Sequence, residues 1–288
     1  MEQIIVSDLL KKELPDFYNT FKIALKDYKI TEISLTNDIW CRDFMPVKRN
    51  DGKYVLFNYD PSYLKPKWQY KLTPRKNIIS ICKELNIEFI DGIGLNLDGG
   101  NVVQSVDRII MTDVIYHENG IKEDKKKQDN LIKRLEKMLE AEILIIPHQP
   151  DDPLSHSDGV VRFLDQKTVL VNNFSSVEGT DFEESKHYLD NMFGALGKAG
   201  LNIIQVPYSP VDEIGEDGMP VALGIYINYL ETNKYVFLPQ FREAFEEKDH
   251  EAIKVFSALF KRVNKTVVPM DSRSIALKGG VLNCITWN

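Results

Sequence analysis

The sequence is poor in the residues that build covalent and metal scaffolds. Its 288 residues hold three cysteines, Cys41, Cys82 and Cys284. An odd number of widely spaced cysteines gives neither a disulfide framework nor the paired-cysteine spacing of a structural zinc site. No stretch approaches the roughly 18 consecutive apolar residues of a membrane span. The opening MEQIIVSDLLKKEL has no basic start followed by a long apolar run, so no signal peptide is expected. Basic charge is also in deficit: 36 Lys and Arg against 43 Asp and Glu leave a net charge of -7. Nucleic acid and anionic membrane both require a basic surface, and neither is expected as a partner. The absences describe a cytoplasmic enzyme in a reducing compartment, acidic enough to suit a cationic small substrate. A hydrophobic content of 43 % is sufficient for an ordinary core.

What the sequence does have is a repeated pattern without a repeated sequence. Five times, a helix-like stretch runs into a short β-branched strand: DFYNTFKIALKDY into ITEISLT, TPRKNIISICKEL into NIEFI, QDNLIKRLEKMLEA into EILIIP, FEESKHYLDNMFGALGKAG into LNIIQVPY, and HEAIKVFSALFKRVN into KTVVPM. The third is the clearest helix, with Leu131, Leu135, Met138 and Leu139 on one face and charged residues elsewhere. Another strand precedes each helix: QIIV, YVLFNY, RIIMTD, TVLVNN and YVFLPQ. Strand, helix and strand in regular alternation predict an α/β architecture. An ordinary doubly wound sheet would show the same alternation. No linker, low-complexity stretch or composition break divides the chain, so residues 1–288 are read as a single domain. The lysine run KEDKKKQ is read as the solvated start of a helix.

The turns after each second strand are polar, Gly-rich or aromatic, and each differs from the next: NDIWCRDFMP, DGIGLNLDGGN, HQPDDPLSHSDG, SPVDEIGEDGMPVALGIYIN and LKGGVLNCITWN. Loops at one end of a repeated unit are a natural place to assemble a site. Cys284 lies in the last of them, after Gly279 and Gly280. A lone cysteine usually packs as a small hydrophobe. A reactive thiol there would need a cationic neighbour or base. Of five histidines, His117, His187 and His250 have polar or helical surroundings and read as surface residues, and His148 reads as a strand-end side chain. His156 stands two residues from Asp158 in SHSDG, and an extended segment would point both side chains the same way. Asp43 follows Trp40, Cys41 and Arg42, where an Arg-Asp salt bridge is the plainer reading. Asp98 precedes two glycines, which allow either a simple turn or a close backbone approach. Cys41 and Cys82 read as packing residues.

Taken together, these segments resemble the agmatine deiminase and bacterial peptidylarginine deiminase family of the guanidine-modifying superfamily. NDIWCRDFMP is similar to its Trp-x-Arg-Asp motif, LDGGN to its acidic-Gly-Gly-Asn motif, HSDGVVRF to its His-x-Asp-Gly motif, GIYINYL with YVFLPQF to a segment carrying a substrate-side asparagine, and GGVLNCITWN to its closing cysteine motif. The matches run over nearly the whole chain in the family's order. The resemblance implies a five-fold pseudo-symmetric α/β propeller (a pentein-type fold) with the site on its axis, QIIV completing the first unit. It implies Cys284 as nucleophile, His156 as general acid and base, Asp98 as the carboxylate orienting the histidine, Asp43 and Asp158 as a fork for the guanidinium, and Asn228 and Trp40 near the substrate. The implied reaction converts a guanidinium to a ureido group and ammonia through a cysteine thiouronium intermediate, with no metal or organic cofactor. Agmatine as substrate would place the chain in polyamine biosynthesis, on the way to putrescine.

The chain departs from the family in being shorter at the N-terminus, in carrying Asp98 where glutamate is usual and Asn283 where histidine usually precedes the cysteine, and in its ITWN ending. The substrate stays open among agmatine, free arginine, peptidyl-arginine and other guanidino compounds. Glu213, Glu216 and Asp217 are either a site for a primary amine or a solvated loop. Two other classes stand beside the deiminase reading. One is a non-catalytic guanidine-binding relative. The other is a metal hydrolase built on His148, Asp151, Asp152, His156 and Asp158. A homo-oligomer is compatible with all of these.

Overall fold

The five β-branched runs ahead of the predicted helices all form strands in the structure, a computed structural model that describes residues 2–64, 68–150, 152–174, 182–216 and 218–288. Fourteen strands are described and fall into five small sheets. In the first, β1 (Gln3–Ser7) runs parallel to β2 (Lys29–Ile33). The second contains β3 (Val47–Lys48), β4 (Tyr54–Asn58) and β5 (Phe89–Asn96), and the third β6 (Val103–Gln104), β7 (Arg108–Thr112) and β8 (Glu142–Ile146). The fourth contains β9 (Val161–Asp165), β10 (Thr168–Asn172) and β11 (Asn202–Val206), and the fifth β12 (Leu230–Glu231), β13 (Tyr235–Gln240) and β14 (Thr266–Asp271).

One connectivity recurs. The middle strand of each three-stranded sheet pairs antiparallel with the short strand before it and parallel with the strand after it. The parallel step needs a crossover, and a helix supplies it each time: Pro15–Ala24, Arg75–Glu84, Lys125–Leu139, Phe182–Lys198 and Glu246–Lys261. The middle strands are covered on both faces and read as apolar runs; β10, for example, is buried at every position. The first sheet gets its third partner from the other end of the chain. Ile5 and Trp287 exchange both backbone hydrogen bonds, at 2.8 and 2.9 Å, in an antiparallel bridge. The Trp287 indole also donates to Pro46 O at 2.7 Å, which ties the last unit to the second.

Helix Lys125–Leu139 shows how local sequence sets these boundaries. Asp124 caps it, its carboxylate accepting from Lys127 N at 3.1 Å; such a cap contributes about 1 kcal/mol. Leu131, Leu135 and Leu139 are buried and Met138 packs at the margin, while Lys125, Lys126 and Lys127 face solvent. Glu140, in the left-handed conformation at φ 51°, ends the helix. The other helices bury one face in the same way, and an aromatic-rich core containing Phe21, Tyr226, Phe237, Phe256 and Phe260 joins the first and last units. No helix among the described residues is long and apolar enough to cross a membrane.

The topology brings one end of all five units into use. Each short antiparallel strand is preceded by one of the polar turns: Cys41–Phe44 before β3, Gly99–Asn101 before β6, Ser157–Gly159 before β9, Asn228 before β12, and Cys284 before the Trp287 bridge.

Candidate active site

Asp43 sits on the short helix Cys41–Phe44, Asp98 heads the 3-10 turn Gly99–Asn101, and His156 heads the 3-10 turn Ser157–Gly159, which carries Asp158. Close backbone approach brings the first three together. A Cβ at Gly100 would stand 2.5 Å from His156 Nδ1 and 2.6 Å from Asp43 Oδ1, so no side chain fits there. The Gly100 N–H instead donates to Asp43 Oδ1 at 3.1 Å. Asn101 staples the next turn in place: its Oδ1 accepts from Thr112 N at 2.8 Å and from Ser157 N at 3.2 Å. Gly280 plays a comparable part beneath Trp40, since a Cβ there would lie 2.5 Å from the indole ring.

His156 is buried between two carboxylates. Its Nε2 lies 3.1 Å from Asp98 Oδ2 and its Nδ1 3.6 Å from Asp43 Oδ1. The Tyr63 ring meets the imidazole edge-on at 5.9 Å between centroids. Asp158, also buried, accepts from Asn283 Nδ2 at 2.6 Å. Asn228 joins two members, donating from Nδ2 to Asp158 O at 3.4 Å and accepting the Cys284 thiol on Oδ1 at 3.3 Å. No hydrogen bond among the described residues joins Cys284 to His156; thiol and imidazole have separate partners.

The extended geometry expected for residues 156–158 is not found. His156 and Asp158 lie on a tight 3-10 turn, so the two-residue period of a strand does not place them. They remain near enough that the Asp158 charge acts on the imidazole, but each side chain is held by a different loop. Arg42 and Asp43 form no ion pair among the described residues. The Arg42 guanidinium turns away, with Nη2 2.8 Å from Asn288 Oδ1.

The electrostatics follow from burying this many acids together. Burial pushes Asp43 up to about 7, the His156 charge working against it, and raises Asp98 for the same reason. Burial disfavours the charged ring of His156, but Asp43, Asp98 and Asp158 outweigh it and hold the imidazole well above its ordinary range. Burial, with the charges of Asp158 and Asp43, pushes the Cys284 thiol well up. The site is therefore an acid-rich pocket with a proton-holding histidine and a raised thiol, on which the Arg42 charge also acts, and a bound cation between the carboxylates would offset the charges that raise Asp43 and Cys284.

The remaining candidates lie elsewhere. Cys41 and Cys82 are fully buried and burial raises both thiols, as packing residues require. His117, His187 and His250 are exposed. His148 pairs with Asp113 at 2.6 Å on the surface. Among the described residues no group of three or more His, Cys, Asp or Glu side chains is arranged to hold a metal ion, and Asp151 lies outside those residues. Glu213 and Glu216 are exposed, and Asp217 also lies outside the described residues. Sequence reasoning overlooked Tyr63, left the glycines after Asp98 open between a simple turn and the close approach found at Gly100, and considered Asp152 only as a metal ligand. Asp152 is half-buried, close enough for the His156 and Asp158 charges to act on it, and raised chiefly by burial. A cavity of about 400 Å³ approaches Asp158 and Asn283 from the far ends of the short strands, at Lys48, Gln104 and Glu231.

The whole chain superimposes on known deiminases. It covers 92 % of a variant agmatine deiminase of C. jejuni solved with substrate bound, with a TM-score of 0.73 and 18 % identity over 100 % of this chain. It covers 92 % of the agmatine deiminase of Enterococcus faecalis, with a TM-score of 0.71 and 16 % identity over 99 % of this chain. A DDAH variant from Pseudomonas aeruginosa complexed with citrulline is similar at a TM-score of 0.56 and 13 % identity, with 99 % of this chain and 98 % of that one covered. At these identities the likeness is one of fold. No curated protein sequence matches the chain. The sequence model of the Porphyromonas-type peptidyl-arginine deiminases matches from residue 5 to residue 288, and the chain belongs to that family of guanidino-group deiminases.

Proposed function

We propose that this chain is a working deiminase, one catalytic domain whose five units ring a central axis, and that it hydrolyses the guanidino group of a small cation such as agmatine. The observation that carries the reading is the gathering of half-buried Cys284 with buried His156, Asp43, Asp98 and Asp158, from four polar turns, around one pocket.

A guanidinium is delocalised and a poor electrophile. Asp43 and Asp158 hold it by charge-assisted hydrogen bonds and fix its plane, and Asn228 and Trp40 flank it. The bound cation offsets the two charges that raise the Cys284 thiol, so substrate binding favours the thiolate. The sulfur adds to the guanidino carbon, a C–S bond forms, and the π electrons move to nitrogen. Protonated His156, oriented by Asp98, gives its proton to the departing nitrogen; the C–N bond breaks and ammonia leaves a thiouronium on Cys284. Neutral His156 then takes a proton from water, whose oxygen adds to the same carbon. The C–S bond breaks, the added hydroxyl loses its proton to solvent as the ureido product forms, and sulfur leaves as thiolate. The lack of a Cys284–His156 hydrogen bond suits this order, in which substrate lies between nucleophile and acid.

Asp152 favours a substrate with a second positive charge. Its carboxylate stands near His156 and Asp158 without belonging to the proposed fork, and a primary amine at the end of an alkyl chain would suit it. The test is formation of ammonia and ureido product from agmatine, arginine and a peptidyl-arginine, by wild type and by Cys284→Ala. Agmatine turnover is expected in wild type, with a loss of at least about a thousandfold in the variant. Preference for peptidyl-arginine would move the reading to a protein substrate. Activity surviving in Cys284→Ala would remove the cysteine mechanism. Binding without turnover by reduced wild type would make the chain a guanidine-binding relative.

A further inference from the structure

The acids of the site are held by two different kinds of partner. Asp43 and Asp98 face the titrating ring of His156. Asp158 instead meets a neutral amide, with Asn283 Nδ2 donating to its Oδ2 at 2.6 Å, while the Arg42 and His156 charges act on it without a hydrogen bond among the described residues. Asp158 Oδ1 accepts no hydrogen bond among the described residues. Asn283 is itself buried and fixed from its backbone: its N–H donates to Asn228 O at 3.2 Å, and its carbonyl accepts from Thr286 N at 3.2 Å and from Arg42 Nε at 3.5 Å. A residue held at both backbone groups has little freedom to turn its amide elsewhere.

We infer that Asn283 is a positioning residue for guanidinium recognition: its amide occupies one oxygen of Asp158, sets the plane of that carboxylate, and leaves the other oxygen to the substrate. The inference rests on the deiminase reading for its substrate class, a planar guanidinium cation, but not on turnover. The amide carries no charge and does not titrate, so it neither competes with the cation nor alters its grip on Asp158 as pH changes. An imidazole in the same place would do both. The choice of partner therefore leaves the pH dependence of substrate binding to Asp43 and adds no further titrating group beside Asp158.

Two variants test this. Asn283→Leu removes the donor at nearly constant size and is expected to raise KM for agmatine about ten- to a hundredfold, as loss of a hydrogen bond to a charged group does, with a smaller change in kcat. Asn283→His can restore a donor, and its ring titrates between pH 5 and 8. Its KM should lie near wild type at pH 8 and rise as pH falls, because the protonated ring competes with the guanidinium for Asp158. Wild-type KM should rise less over the same range, through protonation of Asp43 alone. An unchanged KM with a fallen kcat in Asn283→Leu, or identical KM profiles for Asn283→His and wild type, would overturn the inference and leave the deiminase reading intact. If the leucine variant does not fold, the histidine variant carries the test.

Calorimetric titration of agmatine into Cys284→Ala, with and without Asn283→Leu, separates the two claims. Weaker binding in the double variant supports the positioning role even where wild type turns nothing over, an outcome that ends the deiminase reading alone. Equal binding in both overturns the positioning role. No binding by either removes both.

Discussion

Two groups of buried acids in this molecule are treated in opposite ways. Asp249, in the first turn of helix Glu246–Lys261, accepts from Tyr226 Oη at 2.8 Å, from Phe241 N at 3.0 and 3.2 Å, and from Arg242 N at 2.9 Å. Both of its oxygens are in use, and the donors are neutral groups of the surrounding core. Asp98 is as deeply buried, but among the described residues its Oδ2 meets the His156 ring and its Oδ1 accepts no hydrogen bond, although the Tyr63 hydroxyl lies close enough to act on the carboxylate. A buried acceptor left open is costly, and natural structures leave few of them. Asp249 is thus a structural acid, holding a helix start to the end of a strand. Asp98, beside the titrating ring of His156, leaves an oxygen that no described residue of the fold uses.

Replacing Asp98 should have the largest effect, and it should fall on rate. Asp98→Asn keeps the shape and a neutral acceptor for His156 Nε2 but removes the charge that helps keep the ring protonated. A loss of about 10²- to 10⁴-fold in kcat is expected, the range for weakening a positioned general acid. The basic limb of the pH–rate profile should also move to lower pH. Stability should be unchanged or slightly higher, because an ionised carboxylate with an open oxygen is no longer buried. A variant with normal kcat and lowered Tm would place Asp98 in the same class as Asp249 and end the distinction.

Replacing Asp249 should do the reverse. Asp249→Ala leaves the Tyr226 hydroxyl and two backbone N–H groups buried without acceptors. At about 1 kcal/mol or more for each, the loss is about 3 kcal/mol, or roughly 6 °C in Tm. Assayed well below its melting temperature, the variant should keep kcat within about twofold of wild type, since none of its contacts reaches the pocket. A thermal melt and a rate on the same preparation check both halves. A large fall in kcat with Tm intact would mean that the last unit transmits to the site.

This difference could not be read from the sequence, although much of the fold could. The helices and the strands flanking them were legible because each carries a period, 3.6 in Lys125–Leu139 or a covered β-branched run in β10, that survives without knowledge of its neighbours. The short antiparallel strands were not, because β3, β6 and β12 are two residues long and show no period. The polar turns could be recognised as candidates, and by resemblance so could the site residues within them. Their contacts could not. Asn283 meets an acid 125 positions away, and Gly100 matters through a backbone approach to His156 and Asp43 that only the folded chain displays. His156 and Asp158 lie near each other, but through a 3-10 turn and not through the extended segment expected.

The smallest effect expected concerns Asp43, and it tests whether the open acids strain the empty protein. Burial places its pKa at about 7, above the roughly 4 of an unfolded aspartate. Between those values the folded state binds a proton that the unfolded state does not. The stability this contributes is present below pH 4 and is lost as pH rises through about 7. The raised imidazole of His156 adds a loss of the same sign at higher pH. Wild type should therefore lose Tm from pH 4 to pH 8 faster than Asp43→Asn, by about 3 °C over that range once relaxation around the buried acid is allowed for. In the proposed fork agmatine requires the ionised form, so saturating agmatine in the Cys284→Ala background should flatten the slope seen with Asp43 in place and leave the Asp43→Asn,Cys284→Ala slope nearly unchanged. Parallel slopes with and without Asp43 would mean that its carboxylate pays no penalty in the empty pocket, and that the contrast with Asp249 is one of hydrogen-bond count alone.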